Sequence, residues 1–332
     1  ASLTKQINTL EVRGGKANDL RDQRALLVDE LSNLVNISVT ENIAGNETGV
    51  TSYIIKIDGQ TLVDGPNYYT LYVAPREKKM NQNDIDGLYD VYWYNGQKFN
   101  LDSQNLEGAL KALYEVRDGN NRLNLQGKVT AYAGDNFITV TGTNINEVER
   151  LNIPETGVIT IGNQEYKYAG FEIVKDEDSG EFVYYFELEQ QLLTDAIDTT
   201  ASIGSSINYK GIPYYLDQLN FFIRTFARAF NDLHRTGRDL NNNPGMDFFT
   251  ATNKVNGREY VFGPYVGSDD YYYYDYNTFN SKTGSFYEAV PDDKPLYASY
   301  YFMTAENFTI NSKLIDDPSL FAAATDVING ID

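Results

Sequence analysis

The residues that could carry out chemistry are few, and the single histidine, His234, is the first of them. One histidine cannot supply the His-x-x-x-His pair of a zinc protease, and no Gly-x-Ser-x-Gly or Ser-x-x-Lys motif supplies a serine nucleophile. Cysteine is absent, which excludes disulfides, thiolate metal sites and a cysteine nucleophile. We therefore expect no catalytic role for His234, and we predict that it caps the C-terminal end of a helix, where positive charge is favourable.

Paired carboxylates are the remaining enzymatic option, because a glycosidase needs two of them about 5 to 10 Å apart. Asp269, Asp270 and Asp275 stand among the tyrosines of the segment 269–276 and could line a sugar-binding cleft. The same composition is typical of a solvated loop that keeps a tyrosine cluster soluble, and we favour the loop. A surface adhesion or glycan-binding module and a glycosidase remain the second and third hypotheses.

One segment, residues 239–245, alternates oxygen-bearing side chains as a calcium loop does. Its glycine, Gly245, falls one position later than an EF-hand turn requires, and no glutamate stands at the twelfth position, so a plain Asn/Pro/Gly turn explains the segment better. Neither of the glycine-rich phosphate-binding motifs is present. The sequence therefore predicts no catalytic residue, no cofactor, no metal site and no enzyme activity.

The composition limits the partners of the chain. The 47 acidic residues exceed the 27 basic ones and give a net charge of −20, which repels phosphate backbones and anionic membrane surfaces. We therefore expect neither a nucleic acid nor a membrane as partner, and no apolar run approaches the roughly 18 residues of a membrane span. With 332 residues, the chain should form two or three domains. It starts at Ala1 inside what reads as an ongoing helix, so we expect a fragment of a longer protein.

Amphipathic helices are the strongest structural signal. A helix over 18–35 follows a first one broken at Gly14 and Gly15, and Asp19 is placed to cap it. Proline at position 213 opens the longest helix, which should stop near Gly237. We expect a short helix over 103–117 and a last one after Pro318. The apolar positions of the two main helices predict a packing or assembly seam, whose partner could lie in this chain or in another subunit: Leu20, Leu27, Leu31, Leu34, Leu216, Leu219, Ile223, Phe226, Phe230 and Leu233.

Between the helices, the hydrophobic period changes to two, which predicts strands. The fold class is therefore an α+β multidomain protein, with a discontinuous helical bundle as base and two projecting, mainly antiparallel β domains. We assign residues 1–35, 210–240 and 304–332 to the helical base. Residues 36–118 form a β domain with a short helix, joined by loops and strands from 241–303, and residues 119–209 form an inserted β domain.

Four blocks in this order resemble the family of the first hook-associated protein of the bacterial flagellum, which joins hook and filament. The helix 18–31 with the turn 59–65 is the first block, and residues 108–118 are the second. The third comprises residues 212–219 with Asn231, His234, Gly237, Asp239, Phe248 and Phe249, and the fourth comprises residues 307–311 with Asp317, Pro318, Ala322 and Ala323. The blocks cover about a third of the residues. Residues 120–208 separate segments that are nearly adjacent in many relatives, so the role of this insert is not transferable.

The resemblance implies a non-enzymatic structural protein of the flagellar axis, exported by the type III apparatus and located outside the cell. Its partners would be hook protein, a second junction protein and further copies of itself, with an export chaperone that binds through a missing terminus. The long terminal helices through which the family polymerises are missing here, so such a fragment should be soluble and poorly able to polymerise. The heptad spacing of the helices, taken by itself, predicts coiled-coil packing.

Overall fold

The computed structural model describes residues 1–43, 51–134, 136–176, 179–193, 195–254, 256–262 and 296–324. It has several antiparallel sheets and a few helices, so the predicted α+β class is confirmed. The chain divides into two compact units. Unit 1 comprises the described residues of Ala1–Glu77, Ile85–Asn121 and Ile207–Ile212, and unit 2 those of Lys78–Asp84, Arg122–Ser206 and Pro213–Asp332. The helical base shared by three distant segments, and the predicted domain boundaries, stay predictions.

Unit 1 begins with two helices and continues into two small sheets. Its elements are α1 (Ser2–Val12), α2 (Asn18–Leu34), β1 (Ser38–Ile43), β2 (Thr51–Ile57), β3 (Gln60–Asp64), β4 (Asn67–Tyr68), β5 (Leu71–Pro75), β6 (Tyr89–Trp93) and α3 (Ala109–Asp118). Strands β1 to β4 form one antiparallel sheet in sequence order, and β5 pairs with β6. Asp58 and Gly59 both have positive φ, as the predicted tight β2–β3 turn requires.

Two helix boundaries in unit 1 differ from the sequence prediction. The N-cap of α2 is Ala17 with no side-chain cap, so Asp19 lies inside the first turn and the predicted cap is wrong. Helix α3 begins at Ala109 rather than near residue 103, because Gly108 adopts a φ of 101°. A Cβ at Gly108 would lie 2.8 Å from the carbonyl oxygen of Leu34, so only glycine allows this close approach between the start of α3 and the end of α2.

The core of unit 1 is small and apolar. The buried cluster contains Val35, Ile57, Trp93, Phe99, Leu101 and Leu106. Beside it, Arg76 donates hydrogen bonds to Asp90 at 2.9 Å and to Asp118 at 2.8 Å, and both carboxylates are buried. Unit 1 therefore combines a modest apolar core with a buried network of opposite charges.

Unit 2 contains a closed six-stranded β-barrel followed by the long helix. The barrel strands are β7 (Leu125–Ala133), β8 (Phe137–Thr141), β9 (Gly157–Ile161), β10 (Gln164–Lys175), β11 (Phe182–Leu188) and β12 (Thr200–Ile203). Their order around the barrel is β10-β11-β8-β7-β12-β9, with every neighbouring pair antiparallel. Buried residues mostly alternate with partly buried or exposed ones along these strands. Inside, the aromatic rings of Tyr168, Phe171 and Phe186 pack edge to face or tilted.

The rest of unit 2 is the long helix and irregular chain around it. Its elements are α4 (Ile212–Thr236), β13 (Phe249–Ala251), β14 (Tyr260–Val261), β15 (Leu296–Tyr297), β16 (Phe308–Ile310) and α5 (Ser312–Asp316), with single 3-10 turns at Val148–Arg150, Tyr300–Phe302 and Pro318–Leu320. The predicted start and stop of α4 are confirmed.

The helix predicted after Pro318 is wrong for the described residues, since only the 3-10 turn forms there. The Asp317 carboxylate accepts from the backbone N–H and the hydroxyl of Ser319, which closes one turn. Phe321 is then extended, and Ala324 exchanges backbone hydrogen bonds with Arg238.

Candidate functional site

Helix α4 buries its polar face and exposes its apolar face, the reverse of an ordinary amphipathic helix. Asp217, Asn220, Arg224, Asn231 and His234 are buried, at intervals of three, four, seven and three residues along one side of the helix. Such spacing places them on one face of a helix. Polar side chains in an interior cost free energy unless they are hydrogen-bonded, so their partners explain the orientation of the helix.

Arg224 is the centre of the buried polar face and is 0% exposed. Its guanidinium donates to the backbone carbonyls of Glu149, Leu151, Tyr301 and Met303 at 2.7 to 3.1 Å, and to Oε1 of Gln82 at 2.6 Å. None of the described residues gives it a carboxylate within hydrogen-bond distance. Burial lowers the pKa of Arg224 to about 10, which still leaves the group charged at neutral pH.

Two asparagines of this face, one on either side of Arg224, also form hydrogen bonds with backbone groups. Oδ1 of Asn231 accepts from the N–H groups of Phe248 and Phe249 at 2.9 Å, and its Nδ2 donates to the Phe249 carbonyl. Oδ1 of Asn220 accepts from the N–H of Ala305 at 2.9 Å. The segments that contact α4 are mostly irregular, and their backbone groups lack partners in a sheet or helix. The helix supplies these partners from its side chains, and its polar residues therefore face inward.

The opposite face of α4 is apolar and open. The exposed positions are Tyr215, Leu219, Phe222, Phe226 and Leu233; Phe222 is 63% and Leu233 is 71% exposed. The rings of Phe222 and Phe226 stack with centroids 6.0 Å apart. We call these five residues the apolar stripe.

Aromatic residues from other segments extend the apolar stripe. Phe226 packs against Phe249 with centroids 5.3 Å apart, and Phe249 stacks on Phe308 at 5.0 Å. Further along the helix, Phe230 packs against Phe248 at 4.9 Å. These rings come from α4, β13 and β16, so the surface is built by the packed core of unit 2 rather than by a single loop.

The predicted seam residues have different environments. On α4, Leu219, Phe226 and Leu233 are exposed, whereas Leu216, Ile223 and Phe230 are partly buried at the edge of the stripe. On α2, Leu20 and Leu31 are partly buried, and Leu27 and Leu34 are 56% and 57% exposed. An assembly role for these ten residues stays a prediction.

Sequence reasoning missed Tyr215 and Phe222, which belong to the exposed stripe. The signal was present, because the apolar arc of α4 is wider than one heptad seam and includes both positions. The buried polar stripe one residue further on was missed as well. Asp, Asn, Arg, Asn and His at helical spacing predict a solvent-exposed face. The opposite orientation can be predicted only when the loops that need those donors and acceptors are known.

The other candidate residues form no catalytic or metal arrangement among the described residues. His234 is not a helix cap: its ring is buried and bonds to the backbone of Met246 and Ala322. Asp239 accepts from the N–H groups of Asn241 and Asn243, which makes the segment 239–245 a turn, as predicted. No group of three or more His, Cys, Asp or Glu side chains in the described part of the chain could hold a metal ion. The segment 269–276 lies outside the described residues.

A membrane-spanning helix is missing from the described ranges, since no helix there is both long and apolar enough. Several acids of unit 2 have a pKa that is raised mainly by burial. Burial raises the pKa of Asp217 and of Asp247 to about 6, and that of Glu172 to about 7.

Residues 1–153 match the family described as flagellar hook-associated protein FlgK helical domain. The match over these residues supports the identification of the chain as a hook-associated protein. The match includes the whole of α1, α2 and α3 and the start of the barrel, and it confirms the resemblance that the sequence blocks indicated. No curated protein matches the chain. The family is a structural component of the flagellum that interacts with other axial proteins.

Proposed function

We propose that this chain is the part of an axial structural protein that joins hook to filament, and that it does so by contacts with copies of itself and with neighbouring axial proteins. The family match over residues 1–153 supports a hook-associated structural role. The contact surface we assign is the apolar stripe of α4. In this proposal the protein acts outside the cell, after export by the type III apparatus, and carries out no catalysis.

The observation that carries this proposal is the exposure of Phe222, Phe226 and Leu233 on a helix whose polar residues are buried. A continuous apolar surface of this kind is typical of a protein–protein interface, because folded monomers rarely leave large apolar patches in water. The stripe repeats at intervals of four, three, four and seven residues, which suits lengthwise packing against another helix. We therefore propose a helix of a neighbouring axial subunit as its partner.

Unit 1 has a second exposed apolar face that supports the same proposal. Leu26, Leu27 and Leu34 of α2 are exposed, while Arg24 of the same helix is buried and stacks 3.7 Å from the ring centroid of Tyr53. As in α4, an arginine faces the interior and leucines face outward. Head-to-tail contacts through such faces generate rings or helical lattices, which is the geometry that a junction needs.

The alternative of a glycan-binding module receives less support from the tyrosines that the structure describes. On the β5–β6 hairpin, Tyr69 stacks on Tyr94 and Tyr72 stacks on Tyr92, with centroids 4.9 and 5.5 Å apart. Each ring thus covers one flat face of another ring. A sugar ring binds best on an open aromatic face, so these pairs favour a packing role.

The experiment that tests the proposal replaces Phe222 by glutamate in the full-length protein, in a flagellated strain from which the native copy has been deleted. A charge in a buried apolar interface costs several kcal/mol, so we expect the protein to be exported but filaments to be lost. Thr225→Glu is the matched control, since Thr225 is an exposed polar position on the same helix. Normal filaments with Phe222→Glu, or equal loss with both variants, would contradict the proposal. Circular dichroism of the purified variants verifies that both fold.

A further inference from the structure

His234 connects two segments that are distant in sequence at the C-terminal end of α4. Its Nδ1 lies 2.6 Å from the carbonyl oxygen of Met246, and its Nε2 lies 2.9 Å from the backbone nitrogen of Ala322. The ring is buried, and the aromatic rings of Phe230, Phe248 and Phe321 pack around it with centroids 5.1 to 6.3 Å away. Water therefore has little access to either nitrogen.

These two contacts fix the protonation state of the ring. A carbonyl oxygen can only accept, so Nδ1 must carry a proton and donate to Met246. A backbone N–H can only donate, so Nε2 must be unprotonated and accept from Ala322. The imidazole is therefore neutral, in the Nδ1–H form. A second proton on Nε2 would point at the N–H of Ala322, which turns an attraction into a repulsion between two donors.

Residues 317–324, which we call the strap, depend on this bond and on two backbone contacts. Arg238 and Ala324 exchange backbone hydrogen bonds, and the N–H of Leu240 donates to Ser319. Between them, the backbone N–H of Ala322 donates to His234. Gly237 leaves the space that the strap occupies, because a Cβ there would lie 2.7 Å from the Ala322 carbonyl oxygen. Such a short peripheral segment is among the first to open in a folded protein.

We propose that His234 is a proton-sensitive clasp, which holds the strap against the end of α4 when the imidazole is neutral and releases it when the ring takes up a proton. Acidification is the trigger, because it supplies the second proton. The inference does not depend on the proposed function. Release would also withdraw Phe321 from Phe248, at the edge of the aromatic surface next to α4.

The charged groups around the ring are engaged elsewhere. On α4, Arg235 bonds to Asp232 and Asp247. In the following loop, Asp239 accepts from Asn241 and Asn243, and Asp247 also accepts from the N–H of Phe262. On the strap, Asp317 accepts from Ser319, while the Arg238 backbone pairs with Ala324. None of these described groups replaces the Ala322 bond when His234 is charged.

The single histidine makes the test direct, because its resonances are unambiguous. Nitrogen-15 NMR at neutral pH should show the Nδ1–H form. Hydrogen exchange of the Ala322 and Leu240 amides, corrected for the intrinsic pH dependence, should accelerate about tenfold as the ring titrates, because a hydrogen bond of about 1.4 kcal/mol is lost. The Phe249 amide, held by Asn231, should keep its protection.

The variant His234→Gln separates titration from structure, since its Oε1 can accept from Ala322 but takes up no proton in this range. It should abolish the pH dependence of Ala322 exchange. The proposal is overturned by an Nε2–H ring at neutral pH, by Ala322 exchange that does not follow the titration, or by equal acceleration at Phe249, which would indicate general unfolding. The first two measurements use the unmodified chain, so they decide the matter even if the variant fails to fold.

Discussion

Two buried carboxylates, Asp90 of unit 1 and Asp217 of unit 2, have opposite environments. In unit 1, burial alone would raise the pKa of Asp90, but hydrogen bonds from Arg76 and Lys98 outweigh it and hold that pKa below its usual value. In unit 2, Asp217 is buried with one carboxylate oxygen that has no hydrogen-bond partner among the described residues, and its pKa rises to about 6. Asp90 is thus paired with cationic side chains, whereas Asp217 remains desolvated.

Arg76 and Arg224 show the same contrast. Arg76 of unit 1 is held by the carboxylates of Asp90 and Asp118, whereas Arg224 of unit 2 is held by four backbone carbonyls and one amide oxygen. The first arginine neutralises charge, and the second organises irregular backbone. A buried arginine therefore need not indicate an ion pair, and the two units should respond differently to mutation and to pH.

The largest expected effect comes from Arg224→Met, which leaves several buried carbonyls without a donor. Each unsatisfied buried group costs about 1–3 kcal/mol, so unit 2 should lose at least about 4 kcal/mol of stability. Urea denaturation followed by hydrogen exchange of unit 2 amides measures this loss. Arg224→Lys is the control, because it keeps the charge and loses most of the donors. If the charge were what matters, the lysine variant would retain nearly full stability, and the contrast between the arginines would fail.

Arg76→Met should cost unit 1 about 3–4 kcal/mol, because it leaves two buried carboxylates without compensation. The reason is electrostatic, so here Arg76→Lys should restore a substantial part of the stability. Hydrogen exchange of β5 and β6 amides in both variants provides the measurement. Equal damage from methionine and lysine would show that geometry dominates in unit 1 as well.

The pH dependence of the two units should have opposite signs. The Asp90 pKa is lowered in the folded state, so its stabilisation is present above the unfolded value of 3.8 and is lost as the pH falls through the folded value. For Asp217 the folded pKa is raised from 3.8 to about 6, so the folded state takes up the proton and unit 2 loses stability as the pH rises from 4 to 7. Glu172, with a pKa of about 7, acts in the same direction.

Amide exchange at about pH 3, 4.5 and 7.5, corrected for intrinsic rates, compares the units in one sample, because Asp90 takes up its proton below pH 3.8 and Asp217 near pH 6. Asp217→Asn should remove part of the slope and stabilise unit 2 at pH 7.5 by about 1 kcal/mol, since a desolvated charge is replaced by a neutral amide of the same shape. Glu172→Gln on the barrel serves as a second, independent variant. If neither substitution changes how the stability of unit 2 depends on pH, other groups must cause that dependence.

Part of this architecture was predictable from the sequence, and part was not. The bounds of α4 follow from Pro213 and Gly237, and the β2–β3 turn follows from Asp58 and Gly59, because local backbone chemistry decides both. Closure of the barrel was not predictable, since it depends on long-range pairing such as β12 with β7 and β9. The orientation of α4 was not predictable either. It depends on which carbonyls at 149–151 and 301–303 lack partners, and only the folded chain determines that.

The smallest expected losses of stability come from residues at the starts of two helices, α2 and α5. Asp19 lies in the first turn of α2 without capping it, so Asp19→Ala should lose only the interaction with the helix dipole, about 0.3–0.5 kcal/mol. Asn311 of unit 2 does cap α5, because its Oδ1 accepts from the N–H of Lys313 at 3.1 Å and its Nδ2 donates to the Asp247 carbonyl. Asn311→Ala should therefore cost about 1–2 kcal/mol. Thermal unfolding of both variants tests the order, and an Asp19 effect as large as that of Asn311 would mean that Asp19 acts as a cap in solution.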